Sequence, residues 1–227
     1  MMKADAFNSL HEGKSLVVDG SGTSVFVGLL GTDGQWIARH SEINSPLEGL
    51  FSCVEAVLQS AQTRISDVRN FIYCEGPGSV LGLRLCAMAI QTWGHLCEST
   101  IDYIAYNSLE LTAALIIKDN PDIIHALLVS DWKKGVWNSV EIKDGQLGAT
   151  TAISEQSAKS RENTTLFYLS QRKGWKTVPP QAHELSYSPQ RLPEALHLLK
   201  KTKTIELYSS NMNVFKKWVP QRHRAQT

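Results

Sequence analysis

The chain has 227 residues, 42% of them hydrophobic and 20% charged, with 23 Lys/Arg against 22 Asp/Glu. That composition fits a soluble globular protein with room for one or two domains. No apolar run approaches the ~20 residues of a membrane span, and the first residues, MMKADAFNSLHEGK, lack the apolar centre of a secretory signal.

In chain order, residues 1–14 read as a short, poorly ordered leader. Ser15–Asp19 (SLVVD) is a β-branched apolar run ending in an acid, and Val25–Leu30 is a second strand. Gly31-Thr32-Asp33-Gly34 is a hairpin turn, followed by a third strand over Gln35–Ile43. Ser45 and Pro46 suit an N-cap and first helical residue. Leu47, Leu50, Phe51, Val54, Val57 and Leu58 then recur at helical spacing, so Pro46–Ala61 is expected to be an amphipathic helix. Asn70–Cys74 is a fourth strand, Gly82–Leu96 a second helix, Ile101–Ala105 a fifth strand, and Ser108–Ile117 a third helix capped by Asn107.

A second pass begins at His125–Asp131 (HALLVSD), again an apolar strand ending in an acid. Gly135–Ile142 and Gln146–Ile153 are expected strands, followed by a helix over Arg161–Gln171, a short strand at Lys176–Val178, a helix over Pro193–Lys200 and a strand over Thr204–Tyr208. Three antiparallel strands followed by alternating helices and strands, in two copies, predict an α/β protein. Its expected architecture is two ribonuclease-H-like lobes of the actin-like ATPase type, with mixed sheets flanked by helices. The expected division is an N-terminal lobe over 15–118, carrying a partner interface, and a divergent C-terminal lobe over 119–227 with a basic tail.

Two turns suggest chemistry. In such a fold the loop after the first strand is the natural phosphate site, and here it reads DGSGTS. Asp19, Gly20, Ser21 and Gly22, with Asp131 as the matching acid of the second lobe, are the candidate nucleotide-binding residues. A Gly/Ser hairpin loop has the same appearance. The second turn, EGPGS, contains Gly76, Pro77, Gly78 and Ser79. Ser79 can cap the following helix and present its amides to an anion; the glycines can equally serve close packing of strand on helix. Within that helix Gly82, Cys86 and Ala89 form a small-residue stripe that lets another helix approach. With Leu85, Ile90 and Trp93, and with Leu50 and Val54 of the preceding helix, they form the expected partner interface; the competing reading is that the stripe packs inward on the sheet.

No catalytic residue and no metal site is expected. The sequence has no H-E-x-x-H and no paired C-x-x-C, and His11, His40, His95, His125, His183, His197 and His223 are scattered. Cys53, Cys74, Cys86 and Cys97 sit in apolar contexts, as buried thiols of a reducing cytosol do. Charge is uneven: residues 1–170 hold 12 Lys/Arg against 19 Asp/Glu, and residues 171–227 hold 11 against 3. The basic part is either an ordinary solvated surface or a nucleic-acid contact.

GPGSVLGLRL (Gly76–Leu85) resembles the GPGSFTGLRIG signature of the TsaB family, also called YeaZ. VVDGSGTSVFVGLL (Val17–Leu30) is similar to that family's opening strand pair, and LLVSDWKKGVWNSVEI (Leu127–Ile142) to its second-lobe pair. Val80-Leu81 stand where the family has Phe-Thr, Asn44-Ser45-Pro46-Leu47 where it has acid-His-Thr, and Trp137 where it has tyrosine, so the resemblance is to a divergent member. It implies a non-catalytic subunit, cytoplasmic, that pairs through its first two helices with TsaD, the catalytic and metal-bearing partner. TsaE is a further ATPase partner, and the pathway makes N6-threonylcarbamoyladenosine in tRNA, which the chain would meet through the complex. A homodimer remains open. No resident cofactor is expected, with ATP or ADP at the lobe interface or a partner interface left open. Two other readings stay beside this one. One is an actin-like, ATP-dependent small-molecule kinase or transferase using Asp19 and Asp131. The other is a ribonuclease-H-like nuclease holding metal with Asp19, Glu48 or Glu55, and Glu75.

Overall fold

The computed structural model describes residues 10, 13–43, 46–97, 100–161, 164–170 and 178–209. The first lobe is a mixed sheet built from β1 (Ser15–Asp19), β2 (Val25–Leu30), β3 (Trp36–Glu42), β4 (Asn70–Gly76) and β5 (Asp102–Asn107), with helices α1 (Pro46–Ser60) and α2 (Val80–Leu96) on one face and α3 (Ser108–Asp119) on the other side. β1 is central, antiparallel to β2 and parallel to β4, and every residue of SLVVD is buried. A strand covered on both faces reads as a continuous apolar run. β3 lies at the sheet edge and alternates instead.

The second lobe contains β6 (His125–Lys133), β7 (Val136–Lys143), β8 (Gln146–Leu147), β9 (Thr151–Ser154), α4 (Glu155–Lys159), β10 (Thr165–Ser170) and β11 (His183–Ser186). Its sheet runs β11-β10-β6-β7-β8, with β9 also on β7. Helix α3 joins the lobes. Leu111 and Leu115 pack into the first-lobe cluster with Ile72 and Ile104, while Leu109, Ala113 and Ile116 pack against Leu128, Val140 and Phe167 of the second lobe. Each such apolar side chain stabilises by about 1.5–3 kcal/mol when fully buried, so the lobes are tied by a shared core. Asn107 caps α3 through its Oδ1, which accepts from the amides of Leu109 and Glu110 at 3.0 and 3.2 Å.

The structure departs from the sequence reading in the second half. Residues 165–170 form β10, not part of a helix, pairing in parallel with β6. TLFYLS is buried on both faces, as a central strand is, and periodicity alone cannot separate such a run from a buried helix. The expected strand over Gln146–Ile153 is broken at Gly148 into β8 and β9. Residues 189–198 form a 3₁₀ stretch kinked at Ala195 in place of the helix expected over Pro193–Lys200. The last strand, β12 (Lys200–Thr202), precedes the expected Thr204–Tyr208, and it pairs with β5 of the first lobe.

That pairing also corrects the domain boundary. Leu192, Leu198 and Leu199 are buried with Phe26, Leu30 and Ile104, and the Trp36 indole donates to the Gln190 carbonyl at 2.8 Å. Residues 189–208 therefore complete the first lobe. Leu10 is buried in the same cluster, and the rest of the expected leader up to residue 12 lies outside the described residues. Most of the expected strand at Lys176–Val178 and the basic tail beyond 209 lie outside the described residues.

Candidate functional site

β1 delivers Asp19 to the mouth between the lobes, and there its carboxylate is fully engaged. Oδ1 accepts from the Ser21 amide at 2.7 Å, and Oδ2 accepts from the Tyr187 hydroxyl at 2.6 Å and from the Tyr106 hydroxyl. Asp19 is 1% exposed. Tyr106 comes from the end of β5; Tyr187 follows β11, so it reaches across from the second lobe. Burial pushes both phenols well above the usual tyrosine range, and the neighbouring Asp19 charge pushes them further. They remain protonated donors. The same burial, followed by the same charge, raises the Cys74 thiol.

The EGPGS turn closes the loop from above. The Ser79 amide donates to the Ser21 carbonyl at 2.8 Å. A Cβ on Gly78 would stand 2.4 Å from that carbonyl oxygen, and one on Gly20 would stand 2.9 Å from Cys86 Sγ and 3.1 Å from the Gly82 carbonyl oxygen. Gly76 has φ +114°, which glycine alone adopts without strain. Ser108 Oγ donates to the Pro77 carbonyl at 2.6 Å. Ser79 does cap α2, its Oγ accepting from the Gly82 amide at 3.3 Å. Thus the glycines of both turns bring two loops and a helix end into backbone contact. Of the two readings of each turn, the geometry favours packing, because both the amide and the carbonyl of Ser21 are already used.

Asp131, at the corresponding place in β6, is half-buried and accepts from the Tyr168 hydroxyl. Each lobe thus carries an acid held by a tyrosine, at the end of β1 and two residues before the end of β6. Next to it the Lys133 ammonium lies 4.1 Å from the Trp132 ring centroid. Glu75 ends β4 half-buried, where desolvation raises its carboxyl, and it accepts from Asn107 Nδ2 at 3.3 Å. Glu110 takes Lys200 Nζ at 3.1 Å on one oxygen and the Thr150 amide at 3.3 Å on the other. The nuclease reading requires Asp19, Glu48 or Glu55, and Glu75 to meet. Among the described residues they form no metal-sized cluster; the group that does is His40, Glu42 and Cys53.

The small-residue stripe is turned inward. Gly82, Cys86, Ala89, Ile90 and Trp93 are buried, and so are Leu50 and Val54 of α1, while Leu85 packs partly on the same core. Cys86 and Ala89 let α2 come down close on β1, so the stripe seats this chain's own sheet. What faces outward is Phe51 of α1 at 56% exposure and Leu81, Met88 and Leu96 of α2 at 66%, 64% and 63%. Between α1, the 62–65 turn and Trp93 of α2 lies a groove of about 450 Å³, lined by Phe51, Val54, Leu58, Ile65 and Trp93 together with Glu55, Gln59, Gln62, Thr63 and Arg64. Helical spacing finds the small-residue stripe and cannot say whether the sheet or a partner takes it. Tyr106 and Tyr187 escaped the sequence reading because Tyr106 lies in an ordinary strand and Tyr187 is brought to Asp19 only by the docking of the lobes.

Two mixed sheets, each starting with antiparallel strands and extended by parallel ones, define an actin-like ATPase fold made of two ribonuclease-H-like lobes. Among solved structures the chain is similar to YeaZ from Pseudomonas aeruginosa, with 18% identity, a TM-score of 0.54, and coverage of 69% of this chain and 75% of that one. A second structure, described as an uncharacterized protein with similarity to peptidase YeaZ from Pseudomonas aeruginosa, aligns with 19% identity and a TM-score of 0.53 over 69% and 75% of the two chains. No family model and no curated protein sequence matches the chain. The resemblance seen in the GPGSVLGLRL signature thus extends to the fold of YeaZ. Among the described residues no helix is long and apolar enough to cross a membrane.

Proposed function

We propose that the chain is a non-catalytic, TsaB-like scaffold subunit. It pairs with a TsaD-like subunit, alongside a TsaE-like ATPase, in making N6-threonylcarbamoyladenosine in tRNA. The observation that carries this reading is the set of large apolar side chains left exposed on the first two helices, Phe51, Leu81, Met88 and Leu96, with Phe51 also lining an apolar groove. Large apolar side chains grouped on one face mark a protein contact, and a partner covering them would bury the aromatic and methionine anchors that dominate such interfaces. The engagement of Asp19 supports the non-catalytic part, because a carboxylate taking three hydrogen bonds is not offered to a metal–phosphate. The YeaZ-like fold supports the choice of partner family.

The test is co-expression with TsaD from the same cell, read by size exclusion with light scattering, together with measurement of the modified nucleoside in tRNA from cells lacking the chain. A stable complex that Met88→Asp disrupts is expected, with the modification lost in the deletion. A chain that elutes separately from TsaD, with tRNA fully modified in its absence, would overturn the proposal.

A further inference from the structure

We propose that His40, Glu42 and Cys53 form a binding site for a divalent zinc-class ion that fastens the edge strand β3 to helix α1. His40 and Glu42 are two residues apart on one strand, so their side chains leave the same face of the sheet. That face is the one α1 covers: their partners across the ladder are Val27 and Val25, which lie in one core cluster with Leu50, Cys53, Val54 and Val57. Cys53 points down from α1 to meet them. One imidazole nitrogen, one carboxylate oxygen and the sulfur all lie within 4.8 Å of one another.

The donor set and its spacing fit the ion. Imidazole, carboxylate and thiolate are the three ligand types that zinc takes, and three protein ligands leave a fourth, tetrahedral position for water. Bonds of about 2.0–2.3 Å place tetrahedral donors about 3.5 Å apart. His40 Nε2 and Glu42 Oε1 already stand at 3.4 Å. The remaining contraction toward Cys53 Sγ is within the reach of side-chain torsions, since the His40 and Glu42 side chains are 43% and 26% exposed at an edge. The groups that would orient the ligands are in place. Ser52 Oγ lies 3.2 Å from each oxygen of Glu42 and shares its one proton between them and the Gly49 carbonyl at 3.0 Å, and the Glu42 backbone lies against the Cys53 sulfur. Such outer contacts fix ligand geometry in zinc sites. The apolar floor supplied by Val25, Val27 and Leu50 strengthens the charge attraction between the ion and its anionic ligands. On binding, the Cys53 proton passes to solvent as the sulfur–metal bond forms, so affinity falls as pH falls.

The sequence shows only H-x-E and a cysteine eleven positions on, a spacing with no motif behind it. The hairpin and the helix that follows bring the three together.

The test is titration of the full chain, stripped with a chelator, with Zn²⁺ by calorimetry and with Co²⁺ by absorption. One equivalent of Zn²⁺ is expected to bind and to raise the melting temperature, and the Co²⁺ complex is expected to show a thiolate charge-transfer band. Cys53→Ser should abolish that band. His40→Ala and Glu42→Gln, which remove no core atoms, should each weaken Zn²⁺ at least tenfold. Cys97→Ser, at the one cysteine with surface exposure among the described residues, should change nothing. Absence of stoichiometric binding overturns the proposal. So does binding that survives His40→Ala combined with Glu42→Gln, or a charge-transfer band that follows Cys97. If Cys53→Ser does not fold, the two surface variants decide the outcome.

Discussion

The Tyr187 hydroxyl donates to Oδ2 of Asp19 at 2.6 Å, joining the second lobe to the end of the first strand. The two residues are 168 positions apart in the chain, and their bond is half-buried where an actin-like enzyme would receive a phosphate. The same oxygen takes Tyr106. One carboxylate therefore serves as a fastener for both lobes, alongside the shared core around α3.

Removing the cross-lobe donor tests that fastening. Tyr187→Phe deletes one hydrogen bond to a charged acceptor, worth about 1.5–3 kcal/mol, while Ser21 and Tyr106 continue to serve Asp19. A loss of that order in urea unfolding is expected, with far-ultraviolet circular dichroism unchanged. The pH dependence has a definite sign. The folded phenols of Tyr106 and Tyr187 titrate above their unfolded values, so their stabilisation is complete below about pH 10. It is lost as pH rises further, because the unfolded chain then releases those protons first. Tyr187→Phe should make this alkaline loss shallower by one ionisation, as alkaline unfolding curves of the two proteins would show.

The isolated chain should be a poor nucleotide enzyme. Asp19 is held by three donors and the loop amide of Ser21 is taken. Magnesium–ATP titrated calorimetrically into the purified chain is expected to give no saturable heat. A kinase-like turnover of about 1 per second or more by the chain alone would refute this.

The return of the chain to its first sheet predicts what truncation does. A fragment ending at residue 188 lacks β12 and the buried Leu192, Leu198 and Leu199, and exposes their contacts on Phe26, Leu30 and Ile104. It also loses the Arg191 ion pair to Asp119, at 2.6 Å. Several buried leucines at about 2–5 kcal/mol each exceed the whole margin of a domain of this size. The fragment should be expanded and dye-binding, with no cooperative melt, whereas the full chain melts cooperatively.

The first half was legible because its signals are local and agree. SLVVD is a β-branched apolar run ending in an acid, the Gly31–Gly34 turn sets a hairpin, and Ser79 and Asn107 cap the helices they precede. The second half was less so. TLFYLS is buried on both faces, which erases the alternation that marks a strand, and Lys200–Thr202 becomes a strand only because β5 has an open edge. The GPGS turn was visible as a special backbone, and its purpose is set by Ser21, a residue far away in sequence. The tyrosines on Asp19 and the meeting of His40, Glu42 and Cys53 depend on tertiary approach, to which no spacing rule applies.

The helix α2 gives the sharpest contrast between core and partner surface. Ala89 is 5% exposed within the first-lobe core and Met88, one residue earlier, is 64% exposed. The side chains leave the helix about 100° apart, so adjacent substitutions report on different surfaces. Ala89→Arg would drive a charge among Leu50, Val54 and Trp93; without a partner such a charge costs several kcal/mol and exhausts a marginal fold. Loss of the cooperative melt and insoluble expression are expected. Met88→Arg places the same charge in water and should melt within about 0.5 kcal/mol of the parent, as surface changes do, while failing to pair with TsaD in light scattering. A Met88→Arg chain that melts normally and still pairs would move the contact away from this face. An Ala89→Arg chain that folds and only fails to pair would return the small-residue stripe to the interface.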